Sequence, residues 1–594
     1  MTPFGDDTNL GKRLLFVIFI MGFIFFLLFL RLLYLQVWEG ERYRSLADKN
    51  RISVRLTPPL RGGIFDSLNI PIAKNKQVYR CVIIPQQVIN IDSTVEKLKP
   101  IFNLNEEEEN HIKKTYKKLG FRSTTPIILK KNLDQNIILK IELSYLEEHG
   151  VHIYEGFSRE YPFDFSLSHV LGYIGHLSQK DKSYQTLSRL GSVYVGKTGV
   201  EKIFDEDLFG MPGAEEIEVN AAGQSIRKLS NSPSKKGEDL KITINSMWQK
   251  KAYDLLAEHK SGSIVIMNSK TGAIQALVSY PGYDPHIFEE GISKENWKNL
   301  LEDIYRPLNN KATSGLYAPG STLKMIVALA ALEAGVSKTE EHFCSGGMML
   351  GDHTFHCHKK GGHGTLDMVG ALRESCDVYF YEVAQKIGID KIAQIALRFG
   401  LGSKTLLDFP SEKAGLVPNK SWKMEKKKES WKMFDTILSS IGQGYFLSTP
   451  LQLAQMTARL ATGKEITPHI FEKKLPVFPP LNIQPQYLEL IQEGLLQVMN
   501  HPKGSAFWLK SEDLIIAGKT GTSQVKRISM KERKRGNYQS EDLQWKERDH
   551  AVFVGYAPFE NPEFVAVVLI EHGGWGSRVA APIGVQILKM CLTP

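Results

Sequence analysis

A serine and a lysine placed three residues apart, Ser321 and Lys324, have a spacing that suits nucleophilic catalysis. They follow Pro319 and Gly320 and lead into the apolar run MIVALAALEAG, so the serine stands at the start of a predicted helix. A serine hydroxyl is a poor nucleophile unless a neighbouring base takes its proton. Side chains three apart share one helical face, and a lysine amine is a base when burial or a nearby cation keeps it neutral. The pair predicts acyl transfer through a serine ester.

The Ser-x-x-Lys spacing is a weak signal when it stands alone. Ser225 and Ser232 are also followed by a lysine three residues later, in polar surroundings. A second element is the sequence Ser375-Cys376-Asp377, which lies at the junction of two helical patterns. A hydroxyl and a carboxylate at such a junction can face a site formed by another helix, so this segment is a candidate partner for the serine–lysine pair.

A third element, Lys-Thr-Gly, occurs at residues 197, 270 and 519, and its context separates the copies. Lys197 leads into the charged stretch EKIFDEDL, and Lys270 lies in a predicted hairpin turn. Only Lys519 follows an apolar strand, LIIAG, with small residues that allow a substrate backbone to lie alongside. The substrate-binding positions predicted there are Thr520, Gly521 and Thr522.

The order of the three elements along the chain is far more specific than any one of them. Ser-x-x-Lys, then Ser-x-Asp, then Lys-Thr-Gly, each in a fitting local context, is the pattern of a serine acyl-transferase whose base is a lysine. We therefore predict a single active site, although its members are far apart in sequence. Its catalytic residues are predicted to be Ser321, Lys324, Ser375, Asp377 and Lys519.

The elements around these motifs predict an α+β fold. Two strands precede the nucleophile, three follow a long helical middle, and helices stand at both ends. Five such strands suggest one five-stranded antiparallel sheet covered by helices. The predicted strands are Gly262–Asn268, Ala273–Ser279, Leu514–Ala517, Ala551–Tyr556 and Phe564–Ile570, and the closing helix is Pro582–Leu592.

The N-terminus predicts a membrane anchor. Leu14 to Leu30 is an uninterrupted run of apolar residues or glycine, and residues 14–36 are long enough to cross a bilayer. Lys12 and Arg13 precede the run, so residues 1–13 should stay in the cytoplasm and everything after residue 40 should face outward. A cleaved signal peptide would have a shorter apolar region followed by small residues.

At 594 residues the chain is too long for one core. A turn- and charge-rich segment, Ser230–Gly237, marks the predicted main boundary. We call residues 40–237, a mixed and non-catalytic segment, the pedestal, and residues 238–594 the catalytic region. The net charge of +9 is mild for this length, and the basic run Lys526–Arg535 is interpreted as a solvated loop, so no nucleic-acid partner is predicted.

A second cluster of chemically active residues lies between the nucleophile and Ser375. Cys344, Cys357, His363 and Cys376 together offer three thiolates and an imidazole, a complete tetrahedral set for structural zinc. If the loop at Cys376 is extended, its side chain points away from the catalytic pair, and a metal there would brace the loop from behind. A Cys344–Cys357 disulfide is an alternative, because the region is predicted to lie outside the cytoplasm, and unlinked thiols are another. Four nearby histidines are alternative ligands or solvated loop residues: His342, His353, His356 and His358.

The chain resembles the penicillin-binding transpeptidases over nearly its whole length. The match is specifically to class B enzymes of the elongation type, the penicillin-binding protein 2 group. Four segments outside the catalytic motifs resemble that group. They are Arg61–Asp66 and Gly196–Gly213 in the pedestal, Ile441–Gly444 before Ser448–Pro450, and Glu571–Ser577 near the C-terminus.

The resemblance implies a cross-linking reaction on cell-wall stem peptides, inhibited by β-lactams. Ser321 would attack the carbonyl between two terminal D-alanines, and an amine of a neighbouring stem would then take the acyl group. Lys324 would be the base, helped by the positive charge of Lys519, and Ser375 would relay protons. The backbone amides of Ser321 and Thr522 would form the oxyanion hole. Thr520 would bind the substrate carboxylate beside Lys519.

One position departs from the broader family pattern. Many relatives carry asparagine where this chain has Asp377. An ionised carboxylate cannot donate a hydrogen bond to a substrate carbonyl, and it would favour the charged form of Lys324. Elongation-type members tolerate aspartate here, so the predicted activity stands.

The resemblance also implies a location and partners. The protein would be a single-pass protein of the bacterial inner membrane, with its catalytic region in the periplasm and without an organic cofactor. It would work beside a multi-spanning polymerase that makes the glycan strand, and with other proteins of the elongation machinery.

Septal class B transpeptidases and D,D-carboxypeptidases remain alternatives, although the latter would not need the pedestal. A β-lactamase is disfavoured because no Glu-x-x-Leu-Asn signature occurs. A bifunctional class A enzyme would need a glycosyltransferase motif before residue 240. A non-catalytic scaffold would be expected to lose Ser321 or Lys519, and a β-lactam sensor would carry several spanning segments.

Overall fold

The structure is a computed structural model of the chain. It describes residues 7–43, 52–121, 126–144, 146–178, 193–219, 225–289, 291–405, 411–471, 477–526 and 543–593, with Ser123, Asp181 and Phe409. Most of the basic run interpreted as a solvated loop, from residue 527 onward, lies outside the described residues.

The N-terminal apolar run forms helix α1 (Asp7–Leu33), which continues as a π-helical turn, Tyr34–Trp38. Within the described residues, Gly11–Trp38 is the one helix long and apolar enough to cross a membrane. Its apolar side chains are exposed on every side, for example Phe19 at 73%. A helix that is apolar all round and contacts no protein core is typical of a membrane span.

The described part of the pedestal contains three sheets. One has the strand order β1-β8-β9, in the second β2, β3 and β4 lie side by side and β5 also pairs with β3, and β6 and β7 form a third sheet of two strands. The strands are β1 (Ile52–Thr57), β2 (Ile64–Phe65), β3 (Pro71–Ile83), β4 (Ile127–Lys130), β5 (Val151–Glu160), β6 (Ile174–His176), β7 (Tyr194–Gly196), β8 (Gly213–Val219) and β9 (Ser225–Ser232). The helices are α2 (Ile91–Phe102), α3 (Glu106–Leu119), α4 (Gln135–Leu143), α5 (Asp164–Leu171), α6 (Gly199–Ile203) and α7 (Asp205–Phe209).

The junction between the pedestal and the catalytic region is built from both ends of the pedestal. Strand β10 (Leu240–Lys241) pairs in parallel with β2, so that Leu240 lies opposite Ile64. Asp66, from the Arg61–Asp66 segment, accepts a hydrogen bond of 2.6 Å from the hydroxyl of Ser246. A buried carboxylate at the end of β2 therefore fixes the first helix of the catalytic region.

The catalytic region has helices before, between and after its strands. The helices are α8 (Ser246–Leu256), α9 (His286–Glu289), α10 (Lys294–Glu302), α11 (Lys324–Glu333), α12 (Met368–Arg373), α13 (Asp377–Ile387), α14 (Ile389–Arg398), α15 (Lys420–Lys427), α16 (Met433–Ser440), α17 (Pro450–Thr462), α18 (Pro485–Asn500) and α19 (Ala580–Leu592). The strands are β11 (Gly262–Asn268), β12 (Ile274–Tyr280), β13 (His342–Cys344), β14 (Gly347–Leu350), β15 (His353–His356), β16 (Gly364–Leu366), β17 (Ala517–Ser523), β18 (His550–Ala557) and β19 (Phe564–Ile570).

The predicted five-stranded antiparallel sheet is confirmed, with the order β12-β11-β19-β18-β17. Side chains alternate between its two faces, as a pleated strand requires. Along β11, Ile264 and Ile266 belong to one core with α8 and α19, whereas Val265 and Met267 belong to the larger core that contains α11. Helices therefore cover both faces of the sheet.

Two details of the predicted secondary structure are wrong. The predicted strand Leu514–Ala517 ends where β17 begins, so the Lys519-Thr520-Gly521 motif lies inside the strand and not after it. The long middle segment is also not wholly helical. It contains the pairs β13–β16 and β14–β15, whose residues are histidine, cysteine and glycine rich and lack the periodicity of a longer strand.

Candidate active site

The segment that carries Ser321 is a tight turn that leads into a fully buried helix. Gly320–Leu323 form a 3₁₀ turn, and α11 begins at Lys324 with no exposed residue before Glu333. The Thr322 hydroxyl donates a hydrogen bond of 2.7 Å to the carbonyl of Pro319, which closes the turn. Ser321 stays partly exposed while its neighbours are buried, so its hydroxyl lies at the edge of the core.

Lys324 is completely buried, and its amine faces the Ser375 segment. Its Nζ donates to the carbonyl oxygen of Ser375 at 2.8 Å and forms an ion pair with Asp377 Oδ1 at 2.6 Å. The Ser375 hydroxyl lies 3.3 Å from the same amine. The helix that follows the nucleophile and the Ser-x-Asp segment are therefore joined through the amine of Lys324.

Ser375 adopts a backbone conformation that few residues other than glycine adopt. Its φ is +56°, and it follows the end of α12 in a Schellman arrangement. The Ser375 amide donates to the carbonyl of Leu372 at 3.2 Å, and the Cys376 amide donates to that of Ala371 at 2.9 Å. Such a left-handed non-glycine residue stores strain and is found disproportionately at functional sites. The turn directs the Ser375 hydroxyl toward both lysines.

Lys519 reaches the same hydroxyl from the opposite side. Its Nζ donates to Ser375 Oγ at 2.9 Å and to the carbonyl of Thr520 at 3.0 Å. Burial and the nearby charge of Lys324 lower the pKa of Lys519 well below its usual range. Of the three Lys-Thr-Gly copies, the one at 519 is thus placed beside the serine–lysine pair.

The lysines of the other two Lys-Thr-Gly copies make contacts that stabilise the local structure. Lys197 forms an ion pair of 2.6 Å with Asp181 in the pedestal. Lys270 lies in the turn between β11 and β12, where its amide donates to the side-chain oxygen of Asn268 at 3.0 Å. Neither lysine has a hydrogen bond to a predicted catalytic residue within the described part of the chain.

Three distant segments meet at the nucleophile through glycine backbones. A Cβ on Gly442 would lie 2.1 Å from the carbonyl oxygen of Gly320, and Gly442 itself has a φ of +69°. A Cβ on Gly576 would lie 2.0 Å from the carbonyl oxygen of Gly521. Only glycine allows these close approaches. They hold the Ile441–Gly444 and Glu571–Ser577 segments against the Ser321 turn and β17.

Asp377 is the first residue of α13 and has a different partner on each carboxylate oxygen. Oδ1 pairs with Lys324, and Oδ2 accepts a hydrogen bond of 2.9 Å from the backbone amide of His358. Burial raises the pKa of Asp377, but the charge of Lys324 and the contact with His358 outweigh it, and the net shift is downward. The carboxylate is therefore ionised.

The four predicted metal ligands come together behind this loop. The side-chain donor atoms of Cys344, Cys357, His363 and Cys376 all lie within 4.8 Å of one another. His363 Nδ1 is 3.6 Å from the sulfur of Cys344 and 3.5 Å from that of Cys357. Cys376 is extended, with ψ of 121°, and all five cysteines are unpaired. A hydrogen bond from the Cys376 thiol lowers the pKa of Cys357 and raises that of Cys376.

Comparison with known proteins assigns the chain to a family. Residues 262–589 match the penicillin binding protein transpeptidase domain, and residues 56–242 match the penicillin-binding protein dimerisation domain. The chain belongs to the penicillin-binding transpeptidase family. The family match covers the turn of Ser321, the loop of Ser375 and the strand of Lys519 together.

Relatives of this penicillin-binding transpeptidase match over almost the whole chain. The peptidoglycan D,D-transpeptidase MrdA of Acinetobacter baumannii is 34% identical, over 96% of this chain and 86% of the relative. Penicillin-binding protein PBP2 of Helicobacter pylori, solved in complex with MreC, has a TM-score of 0.78 at 29% identity, covering 91% of this chain and 98% of that one. A chain from a peptidoglycan synthase complex, described as coordinating polymerization and crosslinking, has a TM-score of 0.70 at 27% identity, covering 98% and 99%.

Two residues of this penicillin-binding transpeptidase were not predicted from its sequence. Gln443 donates from its side-chain amide to the carbonyl of Thr522 at 3.3 Å, which ties the Ile441–Gly444 segment to β17. His358 contacts Asp377, as described above. The sequence offered one signal for Gln443, its place between two glycines. His358 was considered only as an alternative metal ligand or a solvated loop residue.

Proposed function

We propose that the protein is a peptidoglycan D,D-transpeptidase of the elongation type that works through an acyl-enzyme on Ser321. The observation that carries the serine mechanism is the position of Ser375. Its hydroxyl bridges Lys324 and Lys519, at 3.3 and 2.9 Å, beside the turn that carries Ser321. A hydroxyl held between two buried amines provides a route for protons at the site where the nucleophile must be activated. The full-length similarity to MrdA supports the substrate class and the reaction.

In the first step Ser321 Oγ attacks the carbonyl between the two terminal D-alanines of a stem peptide. The serine proton passes to Lys324, a serine ester forms, and the leaving D-alanine takes up a proton at its new amine. In the second step an amine of a neighbouring stem attacks the ester, forms the cross-link and releases Ser321. β-Lactams would acylate the same oxygen and block the second step.

Proton transfer through this site requires Ser375 as well as the lysine. Lys324 is paired with Asp377, so it must pass a proton on before it can accept that of Ser321. Both amines donate to the Ser375 hydroxyl, and the lowered pKa of Lys519 allows that amine to take up a proton passed through the hydroxyl. This arrangement supports the relay role proposed for Ser375.

Charge that develops on the substrate needs donors on the opposite side of the nucleophile. The backbone amides of Ser321 and Thr522 are the proposed oxyanion hole, and the close approach of Gly320 to Thr522 supports the pairing, since a Cβ on Gly320 would lie 3.0 Å from the Thr522 carbonyl. Each such donor contributes a few kcal/mol to the transition state. Thr520, Gly521 and Lys519 on β17 would bind the substrate backbone and its terminal carboxylate.

Labelling with a fluorescent penicillin followed by peptide mass mapping tests this function. We expect one adduct per chain, on the peptide that contains Ser321. An adduct on any other residue, or a full-length protein that takes up no penicillin, would refute the proposed mechanism.

The thiol–imidazole cluster is proposed to hold a structural zinc ion. A tetrahedral zinc with Zn–S of about 2.3 Å and Zn–N of about 2.05 Å has S···N edges of about 3.6 Å. The distances from His363 Nδ1 to the sulfurs of Cys344 and Cys357, 3.6 and 3.5 Å, fit that geometry. When bound, zinc would supply a cross-link and no step of the reaction. Cys376 would tie the cluster to the strained turn of Ser375.

Removing zinc is expected to slow acylation although no catalytic residue changes. Zinc should be present at one ion per chain in protein purified without added metal, and His363→Ala should lose it. Because thiolates must be deprotonated to bind the metal, zinc affinity should fall as the pH falls. Elemental analysis measures the zinc content at each pH and after dialysis against a chelator. Penicillin labelling of the same samples measures the rate of acylation. A metal-free protein whose peptide map contains a Cys344–Cys357 cross-link would end the zinc proposal. A protein with that disulfide would be sensitive to reductant and not to chelator.

The exposed apolar helix α1 supports a membrane-anchored protein. With Lys12 and Arg13 before the span, the tail 1–13 would be cytoplasmic, residues 14–36 would span the inner membrane, and the pedestal (40–237) and catalytic region (238–594) would lie in the periplasm. The relatives in complex with MreC and in a peptidoglycan synthase complex support partners from the elongation machinery. We place their contacts on the anchor and the pedestal.

The pedestal is expected to dock partners without chemistry of its own. Purified full-length protein should therefore cross-link glycan strands only when a multi-spanning polymerase supplies them. The measurement is conversion of lipid-linked precursor to polymer by the protein alone and with the polymerase. Polymer made by this protein unaided would contradict the prediction.

A further inference from the structure

The carboxylate of Asp377 is held at both of its oxygens, by two elements that are far apart in the sequence. Oδ1 faces the buried amine of Lys324 at 2.6 Å. Oδ2 faces His358, whose backbone amide donates to it at 2.9 Å and whose ring Nδ1 lies 3.4 Å away. His358 thus contacts a member of the proposed active site although it lies in the insert between β15 and β16.

The two sides of Asp377 differ in their access to water. The side chain of Asp377 is 12% exposed, whereas that of His358 is 41% exposed. The imidazole is therefore the more exposed of the two groups that meet at Oδ2. Its ring also lies beside the cysteine–histidine cluster, because Nδ1 is 3.8 Å from the sulfur of Cys357 and the ring is 5.0 Å from that of His363.

A carboxylate that is held at one oxygen alone would not fix the position of the Lys324 amine. The terminal torsion of aspartate is broad and roughly two-fold, so the group can rotate and exchange its oxygens. Water that reached Oδ2 would favour such exchange by competing for hydrogen bonds. The backbone amide and the ring of His358 both contact Oδ2, and together they restrict that rotation and leave Oδ1 in one place toward the lysine amine.

We infer that His358 is a positioning residue for acylation, acting on Lys324 through Asp377 by a polar contact of its ring with Oδ2. The inference rests on the proposed function of Ser321 and Lys324, and it adds a residue that none of the three motifs contains. The backbone amide of His358 is retained in any substitution, so a variant isolates the part played by the ring. The expected loss is on the order of 3- to 10-fold, the size of one partly exposed polar contact.

Three substitutions separate the possible roles of the ring. His358→Ala removes both the bulk and the polar contact of the ring, His358→Phe keeps the bulk, and His358→Gln keeps a side-chain N–H donor. We expect the alanine and phenylalanine variants to acylate 3- to 10-fold more slowly and the glutamine variant to retain most of the rate, with the loss in the first-order acylation step and not in penicillin binding. Lys360→Ala, an exposed side chain of the same loop, is the matched control and should acylate normally.

A double-mutant cycle with Asp377→Asn distinguishes positioning from general damage to the insert. An amide at 377 no longer offers two equivalent oxygens, so His358→Ala should then change the acylation rate by less than about twofold. Thermal melting and zinc content of each variant are measured alongside. An equal loss in both backgrounds, a phenylalanine variant as fast as the wild type, or no loss in His358→Ala would each overturn the inference. Failure of the wild type to acylate at Ser321 would instead overturn the proposed function.

Discussion

Replacing Ser321 by alanine should abolish covalent labelling of the protein by a fluorescent penicillin while leaving its fold and anchor intact. The Ser321 oxygen is the atom that forms the ester, so no slower route through the same residue remains. Alanine fits the 3₁₀ turn, because the hydroxyl that closes this turn belongs to Thr322. In-gel fluorescence and intact mass measure the labelling, and thermal melting measures the fold.

Matched controls for this prediction exist within the chain. Ser225 and Ser232 have the same Ser-x-x-Lys spacing but lie on β9 in the pedestal. Ser225→Ala and Ser232→Ala should therefore label as the wild type does. Stoichiometric labelling of Ser321→Ala would show that another residue is the nucleophile, and the assignment of the whole site would fall with it.

Replacing either buried lysine by alanine should slow acylation by at least about 100-fold, the order expected when a general base is lost. Lys324→Ala removes the base and leaves the Asp377 carboxylate without its partner. Lys519→Ala removes the second amine on the Ser375 hydroxyl and the positive group proposed to bind the substrate carboxylate. Stopped-flow measurement of acylation gives the rate constants, and thermal melting corrects for lost stability.

The other Lys-Thr-Gly copies provide the controls for the lysine variants. Lys197→Ala breaks an ion pair in the pedestal, and Lys270→Ala alters an exposed turn. Both should acylate within about twofold of the wild type, since neither lysine has a hydrogen bond to a proposed catalytic residue in the described part of the chain. A larger loss in either variant than in Lys519→Ala would mean that the wrong copy was chosen.

The proposed catalytic residues could be singled out from the sequence because each stands at a local break in pattern. Pro319 and Gly320 precede Ser321, and Ser375 lies between two helical patterns. The cysteine–histidine set could also be predicted, because its residue types are restrictive. The contacts that join these parts could not be predicted, because they bring together residues that are far apart in the sequence. That Gly442 packs on the Gly320 backbone, or that His358 reaches Asp377, follows only from the folded chain.

The prediction of secondary structure failed where local composition and tertiary context disagree. Ala517–Ser523 contains two glycines and three hydroxyl residues, a poor strand by propensity, and it forms β17 because β18 pairs with it throughout. The short strands from β13 to β16 are too brief for a periodic signal. Their pairing accompanies the approach of the four residues of the thiol–imidazole cluster, which no propensity scale contains.

The parallel pairing of β10 with β2 brings the start of the catalytic region back beside an early strand of the pedestal. Ile64 and Leu240 are neighbours in space although most of the pedestal lies between them in the sequence. A segment whose two ends meet can be replaced by another of different size without moving the parts it connects. Because the pedestal is proposed to dock partners, exchange of the segment between β2 and β10 would change partner choice and leave the geometry around Ser321 intact. Exchange of pedestals between transpeptidases of this class offers a direct way to reassign one enzyme to another's machinery.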